Sequence, residues 1–205
     1  MTALFRPLAI LGTMRAIGGW LSDAEADLLI AGAVQVACAG GGRTLVEIGS
    51  YEGRSTVVLA STLKALSPDS RLFAIDPHEG TVGAADRRLT HGTSTEERFL
   101  ANIAAAGVAE QVRPVRALSY EVDWPQVGEG RAIDLLFVDG LHDRMNVERD
   151  FRCFAPFLAS SAVVLFHDCA DYYPGVRDFI ADLVASESWQ VLGAADSMRL
   201  LMHGS

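Results

Sequence analysis

Apolar residues recur along this chain in two alternating periods. Short, mostly apolar runs, as at 44–48 and 71–75, have the length of strands buried on both faces. Between them, 54–66 carries its apolar residues at helical spacing and ends at the turn Ser67-Pro68-Asp69. The pattern repeats further on. Strands are expected over 112–116, 133–138 and 162–166, with helices over 146–154 and 176–186 among them. Two last apolar runs, 190–193 and 198–202, lie too close for a crossover helix between them and predict an antiparallel hairpin. Ahead of the first strand, Ser22-Asp23-Ala24-Glu25 fits a capping box, and Leu28, Leu29, Ala31, Val34 and Val36 continue it as a helix that should stop at Gly40-Gly41-Gly42. A second box, Ser94-Thr95-Glu96-Glu97, opens a helix to about 106.

The alternation predicts an α/β protein: a doubly wound, Rossmann-like, mostly parallel seven-stranded sheet with helices on both faces and an antiparallel strand near its C-terminal edge. Residues 1–43 read as an N-terminal helical segment that packs on the core or forms a lid or dimer contact, and 44–205 as the ligand-binding domain. The polar, Gly-containing stretch 78–93 is long enough for a lid or binding loop.

Composition narrows the function. The 205 residues are 50% hydrophobic, enough for one domain with a sizeable core. A net charge of −9 argues against a nucleic-acid backbone as partner, since such binding needs clustered Lys and Arg, and Lys64 is the only lysine. No run approaches the ~18 apolar residues of a membrane span, and the N-terminus lacks the arrangement of a signal peptide, so a cytoplasmic location is expected. Cys38, Cys153 and Cys169 are odd in number and show no CxxC spacing, which leaves neither a disulfide framework nor a structural zinc site.

The chemistry gathers where strands end, the side on which open α/β sheets bind ligands. The first strand runs into Glu47-Ile48-Gly49-Ser50-Tyr51-Glu52-Gly53-Arg54-Ser55, a glycine turn that opens a helix whose free N–H groups suit an anionic or polar ligand. A dinucleotide fingerprint would have G-x-G-x-x-G, and the middle glycine is missing here. A nicotinamide dehydrogenase is therefore demoted. Glu47 is costly in a buried strand unless it is paired or bonds a ligand. The second strand ends in Asp76-Pro77-His78, the fourth in Asp139-Gly140-Leu141-His142, the fifth in His167-Asp168. Any one of these acids could be a helix cap. Together they point to one site.

These pieces resemble class I S-adenosylmethionine-dependent methyltransferases, first in Glu47 to Gly53 followed by Phe73-Ala74-Ile75-Asp76. Through Asn102-Ile103, Ala106-Gly107-Val108, Ser119, Ile133 to His142 and Phe166-His167-Asp168 the chain is similar to small metal-dependent O-methyltransferases, including those acting on sugar hydroxyls. The resemblance implies that Glu47, Gly49, Ser50 and Gly53, with Tyr51 and Ser55 of the same turn, surround the methionine part of the cofactor. It implies that Asp76 takes the ribose hydroxyls with His78 nearby, that Ser119 lies against the adenine, and that Asp139 borders the cofactor as well. Asp139 and Asp168 would ligate Mg²⁺ or another divalent cation, and His142 would be the general base. Many relatives carry a second acid where this chain has His167, which could itself ligate the ion, orient Asp168 or hold the next loop. Tyr172 and Tyr173 would meet the acceptor.

Methyl transfer to an alcohol needs the oxygen held in line, its proton removed and the developing charge stabilised. Carboxylates suit Mg²⁺, which can lower a hydroxyl pKa, and an imidazole with an ordinary pKa of about 6.5 can accept a proton near neutrality. The expected acceptor is a small molecule or oligosaccharide, methylated on a saccharide or glycoside hydroxyl. A catechol-like or other small phenol is the alternative, and a non-catalytic S-adenosylmethionine-binding protein a further one.

Overall fold

The structure, a computed structural model, describes residues 5–80, 94–186 and 188–204. Seven strands form one sheet in the order β3-β2-β1-β4-β5-β7-β6: β1 Thr44–Ile48, β2 Arg71–Ile75, β3 Val112–Val115, β4 Ile133–Val138, β5 Leu158–Phe166, β6 Trp189–Ala195 and β7 Met198–His203. The first five are parallel to one another, and β7 runs antiparallel between β5 and β6. This is the architecture expected from the alternation of periods. Strand order reverses between β1 and β4, so the loops leaving those two strands diverge to opposite faces and open a crevice above their carboxyl ends.

The period of two along each central strand sorts side chains between two cores. Leu45, Leu135, Phe137 and Leu165 face one layer with α1 Pro7–Arg15, α2 Asp23–Ala37, α3 Arg54–Leu66 and α4 Glu96–Ala105. Val46, Leu136, Val138 and Phe166 face the other, with α6 Arg144–Phe154 and α7 Pro174–Ala185. A one-turn helix, α5 Trp124–Val127, lies between β3 and β4. Burying a phenylalanine is worth roughly 1.5–3 kcal/mol, and Phe99, Phe137, Phe154 and Phe166 are all fully buried. They fix the helices to the sheet that carries the crevice.

The local signals hold unevenly. The Ser22 capping box forms in full, with Glu25 N donating to Ser22 Oγ and Ser22 N to Glu25 Oε2. The second box does not. Thr95, not Ser94, is the residue before α4, and its hydroxyl pairs with His78 Nδ1 at 2.9 Å instead of capping the helix. Pro7, which interrupts the apolar pattern, sits in the first turn of α1, where its missing N–H costs nothing. β5 begins four residues earlier than its apolar run because Leu158 pairs with Ile133 ahead of a register shift. α6 likewise starts before its apolar residues, at Asp143, whose side chain accepts from Asn146 N at 3.1 Å. Most of the expected lid stretch lies outside the described residues. No helix among the described residues is long and apolar enough to cross a membrane.

Candidate active site

The turn after β1 is tight because it passes the end of β4. Gly49 has φ +87°, and a Cβ there would lie 2.0 Å from the Asp139 carbonyl oxygen, so no other residue fits. Tyr51 follows at φ +47°, unusual for a tyrosine. Its N–H donates to Asp76 Oδ2 at 2.8 Å, while His78 N donates to Asp76 Oδ1 at 2.7 Å. Two backbone donors thus fix the carboxylate that borders the crevice at the end of β2, and leave it acceptor capacity for a pair of hydroxyls.

Three residues expected at the cofactor sit one layer behind the crevice. Gly53, at φ +90°, precedes α3 and packs against Phe99. The His78 ring turns to Thr95 and Phe99. Glu47 is wholly buried and accepts from Ser55 Oγ and Thr56 Oγ1, both at 2.5 Å, tying the start of α3 to β1. Burial, reinforced by the charges of Asp139 and Asp76 and opposed by the two hydroxyls, pushes its carboxyl up to about 8. The folded protein therefore holds a proton at pH 7 that the unfolded chain has released. This stabilising contribution is complete below the ordinary carboxyl pKa, near 4.5, and is lost as pH rises toward 8. Glu47→Gln removes the titration. Melting curves taken across pH 4.5–8 should show the variant gaining steadily on the wild type, and parallel curves would contradict this origin of the shift.

Across the turn stand the acids of β4 and β5. Asp139, His142 and Asp168 each offer a ligand atom within 4.8 Å of the others, the group among the described residues that could hold a metal ion. His142 Nε2 lies 3.0 Å from Asp168 Oδ2, and its ring packs on Tyr173 at 4.2 Å between centroids. Asp168 has φ +59°, a conformation a short acid tolerates better than most and one that tends to be kept where function needs it. Burial alone would raise the Asp168 carboxyl, but contacts from His142 and His167 hold it well below the usual carboxylate range. For Asp139 burial wins, and its carboxyl is raised.

His167 takes no open position beside these acids. Its Nδ1 lies 3.1 Å from Asp139 Oδ1 and 3.0 Å from Asp168 Oδ2, and its Nε2 faces Glu25 Oε2 at 3.2 Å. Burial disfavours its charge, yet the three carboxylates outweigh this and raise its pKa well above an ordinary imidazole's. Ligating an ion through His167 would mean giving up one of those contacts.

At the β3 end of the crevice, the Ser119 hydroxyl donates to Asp150 Oδ1, and Asp150 Oδ2 would lie 2.5 Å from a Cβ on Gly140. Asp150 is an acid in the middle of α6 that strand-end reasoning passes over. Its buried polar position on an apolar helix face is the one signal that could have found it. At the other end, Trp20 packs on Tyr51 at 5.4 Å, and Tyr172 on Tyr173 at 4.9 Å.

Apart from Glu47, Gly53 and His78, the expected site residues line one cavity of about 600 Å³, within the usual size of a small-molecule site. Its wall includes Gly49, Ser50, Tyr51 and Ser55 from the turn, Asp76 and Ser119 from the segments after β2 and β3, and Asp139, His142 and Asp168. Residues 46–169, more than half of the chain, match the family described as methyltransferase domain. The chain belongs to this family.

The fold that the resemblance implies is shared with solved structures of O-methyltransferases. The chain aligns over 91% of its length with 84% of the O-methyltransferase NovP, at TM-score 0.74 and 16% identity. It aligns in full with 92% of the O-methyltransferase TomG of Streptomyces achromogenes, solved with S-adenosylmethionine, at 0.64 and 19%. Over 97% of its length it aligns with 93% of a TDP-rhamnose 3′-O-methyltransferase of calicheamicin biosynthesis, at 0.63 and 14%. Among curated sequences it is 29% identical over 147 residues to protein y4gI of Sinorhizobium fredii and 28% over 152 residues to a protein of Acanthamoeba polyphaga mimivirus. It spans 15% and 62% of the lengths of those two relatives.

Proposed function

We propose that this methyltransferase moves the methyl group of S-adenosylmethionine to a hydroxyl of a saccharide or glycoside, with His142 as general base and Asp139 and Asp168 as ligands of Mg²⁺. The observation that carries the reading is the meeting of two halves in one cavity. Gly49, the donor turn, and Asp139, the first acid, are in backbone contact, so a sulfonium seated on the turn lies next to the acids. The donor set fits a hard divalent cation, since the two carboxylates of Asp139 and Asp168 offer oxygens within 4.8 Å of each other, with the His142 ring beside them.

In the reaction the acceptor oxygen forms a bond to the methyl carbon as the carbon–sulfur bond breaks, leaving S-adenosylhomocysteine and a methyl ether. The hydroxyl proton passes to His142, whose imidazole is oriented by Asp168 at 3.0 Å and by the Tyr173 ring. A cation bound between the carboxylates would hold the acceptor oxygens and lower the hydroxyl pKa. Asp76 anchors the ribose, which keeps the methyl group in line. Tyr172 and Tyr173 give the acceptor side rings on which a sugar face can stack. A neighbour in fold that acts on TDP-rhamnose supports a sugar acceptor.

The test is transfer from deuteromethyl-labelled S-adenosylmethionine to a panel of saccharides, glycosides and catechols, read by mass spectrometry. A labelled saccharide ether is the expected product. Labelled catechol with no saccharide product would replace the acceptor class, and donor binding without any transfer would remove the activity.

A further inference from the structure

Glu25 enters the sequence only as the acid of a capping box, and a helix N-terminus asks no more of it than one hydrogen bond, which glutamine can also supply. It makes four contacts. Oε2 accepts from Ser22 N at 2.9 Å and faces His167 Nε2 at 3.2 Å, and Oε1 accepts from Ser197 N at 3.1 Å and Ser197 Oγ at 2.6 Å. The residue is 3% exposed. A carboxylate held this deep is costly unless its partners need it. Here the partner is His167, whose other nitrogen spans Asp139 Oδ1 and Asp168 Oδ2. One unbroken chain of contacts therefore runs from the N-terminal helix α2, through an imidazole, to both acids of the acceptor half.

We infer that Glu25 is a positioning residue. Through His167 it sets the spacing and orientation of Asp139 and Asp168. The ring is a rigid spacer between the acids. Its Nδ1 hydrogen-bonds Asp168 and lies beside Asp139, and its buried Nε2 is at ion-pair distance from Glu25 without a hydrogen bond, so it is the Glu25 charge that favours this orientation of the ring. Asp139 and Asp168 share one N–H, which draws two like charges together with a fixed pair of oxygens facing the same nitrogen. With Glu25 gone, the far nitrogen loses its carboxylate, the ring is free to rotate, and the aspartates repel each other apart. The inference deepens the proposed function, because it rests on those aspartates holding a divalent cation.

The experiment uses the full chain as wild type, Glu25→Gln, His167→Asn and the double variant. Mn²⁺ binding is followed by the electron-spin signal of the free ion, and S-adenosylhomocysteine binding by calorimetry. Glutamine keeps the helix cap and loses the carboxylate, so folding and positioning are separated. Glu25→Gln is expected to weaken Mn²⁺ by about 10–100-fold, the usual effect of losing a group that orients a metal ligand, with S-adenosylhomocysteine binding unchanged. Because Glu25 acts through His167, the double variant should bind Mn²⁺ no more weakly than His167→Asn alone. Wild-type Mn²⁺ affinity in Glu25→Gln, or losses that add in the double variant, would overturn the inference. Should Glu25→Gln fail to bind S-adenosylhomocysteine, Ser197→Ala takes its place. It removes one of the hydrogen bonds that hold Glu25 and should give a smaller loss of the same kind, whereas no loss would overturn the inference. A wild-type chain that binds no Mn²⁺ removes the cation from the proposed function instead. Positioning is then read from kcat: equal, non-additive falls in the two single variants sustain it, and an unchanged kcat overturns it.

Discussion

Replacing His142 with alanine is expected to lower turnover by roughly 10²–10⁴, the range for a lost general base, while S-adenosylhomocysteine binds much as before. The expectation follows from where the side chain sits. His142 leaves the end of β4 three residues after Asp139, and its ring is clamped between Asp168 Oδ2 at 3.0 Å and the face of Tyr173. A carboxylate at that distance orients the imidazole and stabilises the cation it becomes on taking a proton. In the proposed reading the donor sits elsewhere, on the glycine turn and Asp76, so its affinity should not depend on the ring. Steady-state rates and calorimetry on the same preparation check both halves of the statement, and partial recovery with added imidazole is expected. Full turnover in the alanine variant would take His142 out of the mechanism.

Removal of divalent cations should have an effect of comparable size. With EDTA the rate is expected to fall to background, and Mg²⁺ in excess should restore it. A cation on the acceptor oxygens supplies several kcal/mol of transition-state stabilisation, on the order of 10³-fold in rate. Asp139→Asn should lose activity to the same extent and fail to recover with added Mg²⁺, because the defect then lies in the ligand. The two treatments are distinguished by that recovery. Asp139 is the better site for the substitution. Its carboxyl is raised by burial, and only the nearby His167 and His142 work against this, so a bound cation would add most there. Activity indifferent to EDTA would overturn the cation assignment and leave Asp168 and His142 as a simple carboxylate–imidazole pair.

The architecture was legible because each level of the sequence agreed with the next. Leu45, Val46 and Ile48, broken only by Glu47, and then Leu135 to Val138, are apolar because both faces of those strands are covered. The short gap before Met198 left room only for a hairpin, and β6 and β7 form one. The strand-end acids were legible for the same reason: ligands of such sheets bind beyond the carboxyl ends, and Asp76, Asp139 and Asp168 do share one cavity.

What escaped was set by contacts between distant parts of the chain. Glu25 has a complete local explanation as a cap, so nothing in its own helix announces a hydroxyl 172 residues away in Ser197. Ser94 and Glu97 have the spacing of a box, yet Thr95 is the residue before α4, a buried His78 claims its hydroxyl, and the local signal loses. Asp150 sits among Val147, Phe151 and Phe154 on the buried face of α6, where periodicity leads one to expect another apolar residue. Glu47 was rightly marked as costly. Its cost is met by Ser55 and Thr56 and by its raised pKa, so it serves the turn from behind rather than from the cavity wall.

That donor and acceptor halves meet in one cavity is tested most directly by a crystal structure with S-adenosylhomocysteine and Mn²⁺, the ion located by its anomalous scattering. The expected map has the ribose on Asp76, the sulfur beside Gly49 and directed at His142, and an anomalous peak between Asp139 and Asp168. A sulfur turned away from those acids, or a peak elsewhere in the molecule, would contradict it.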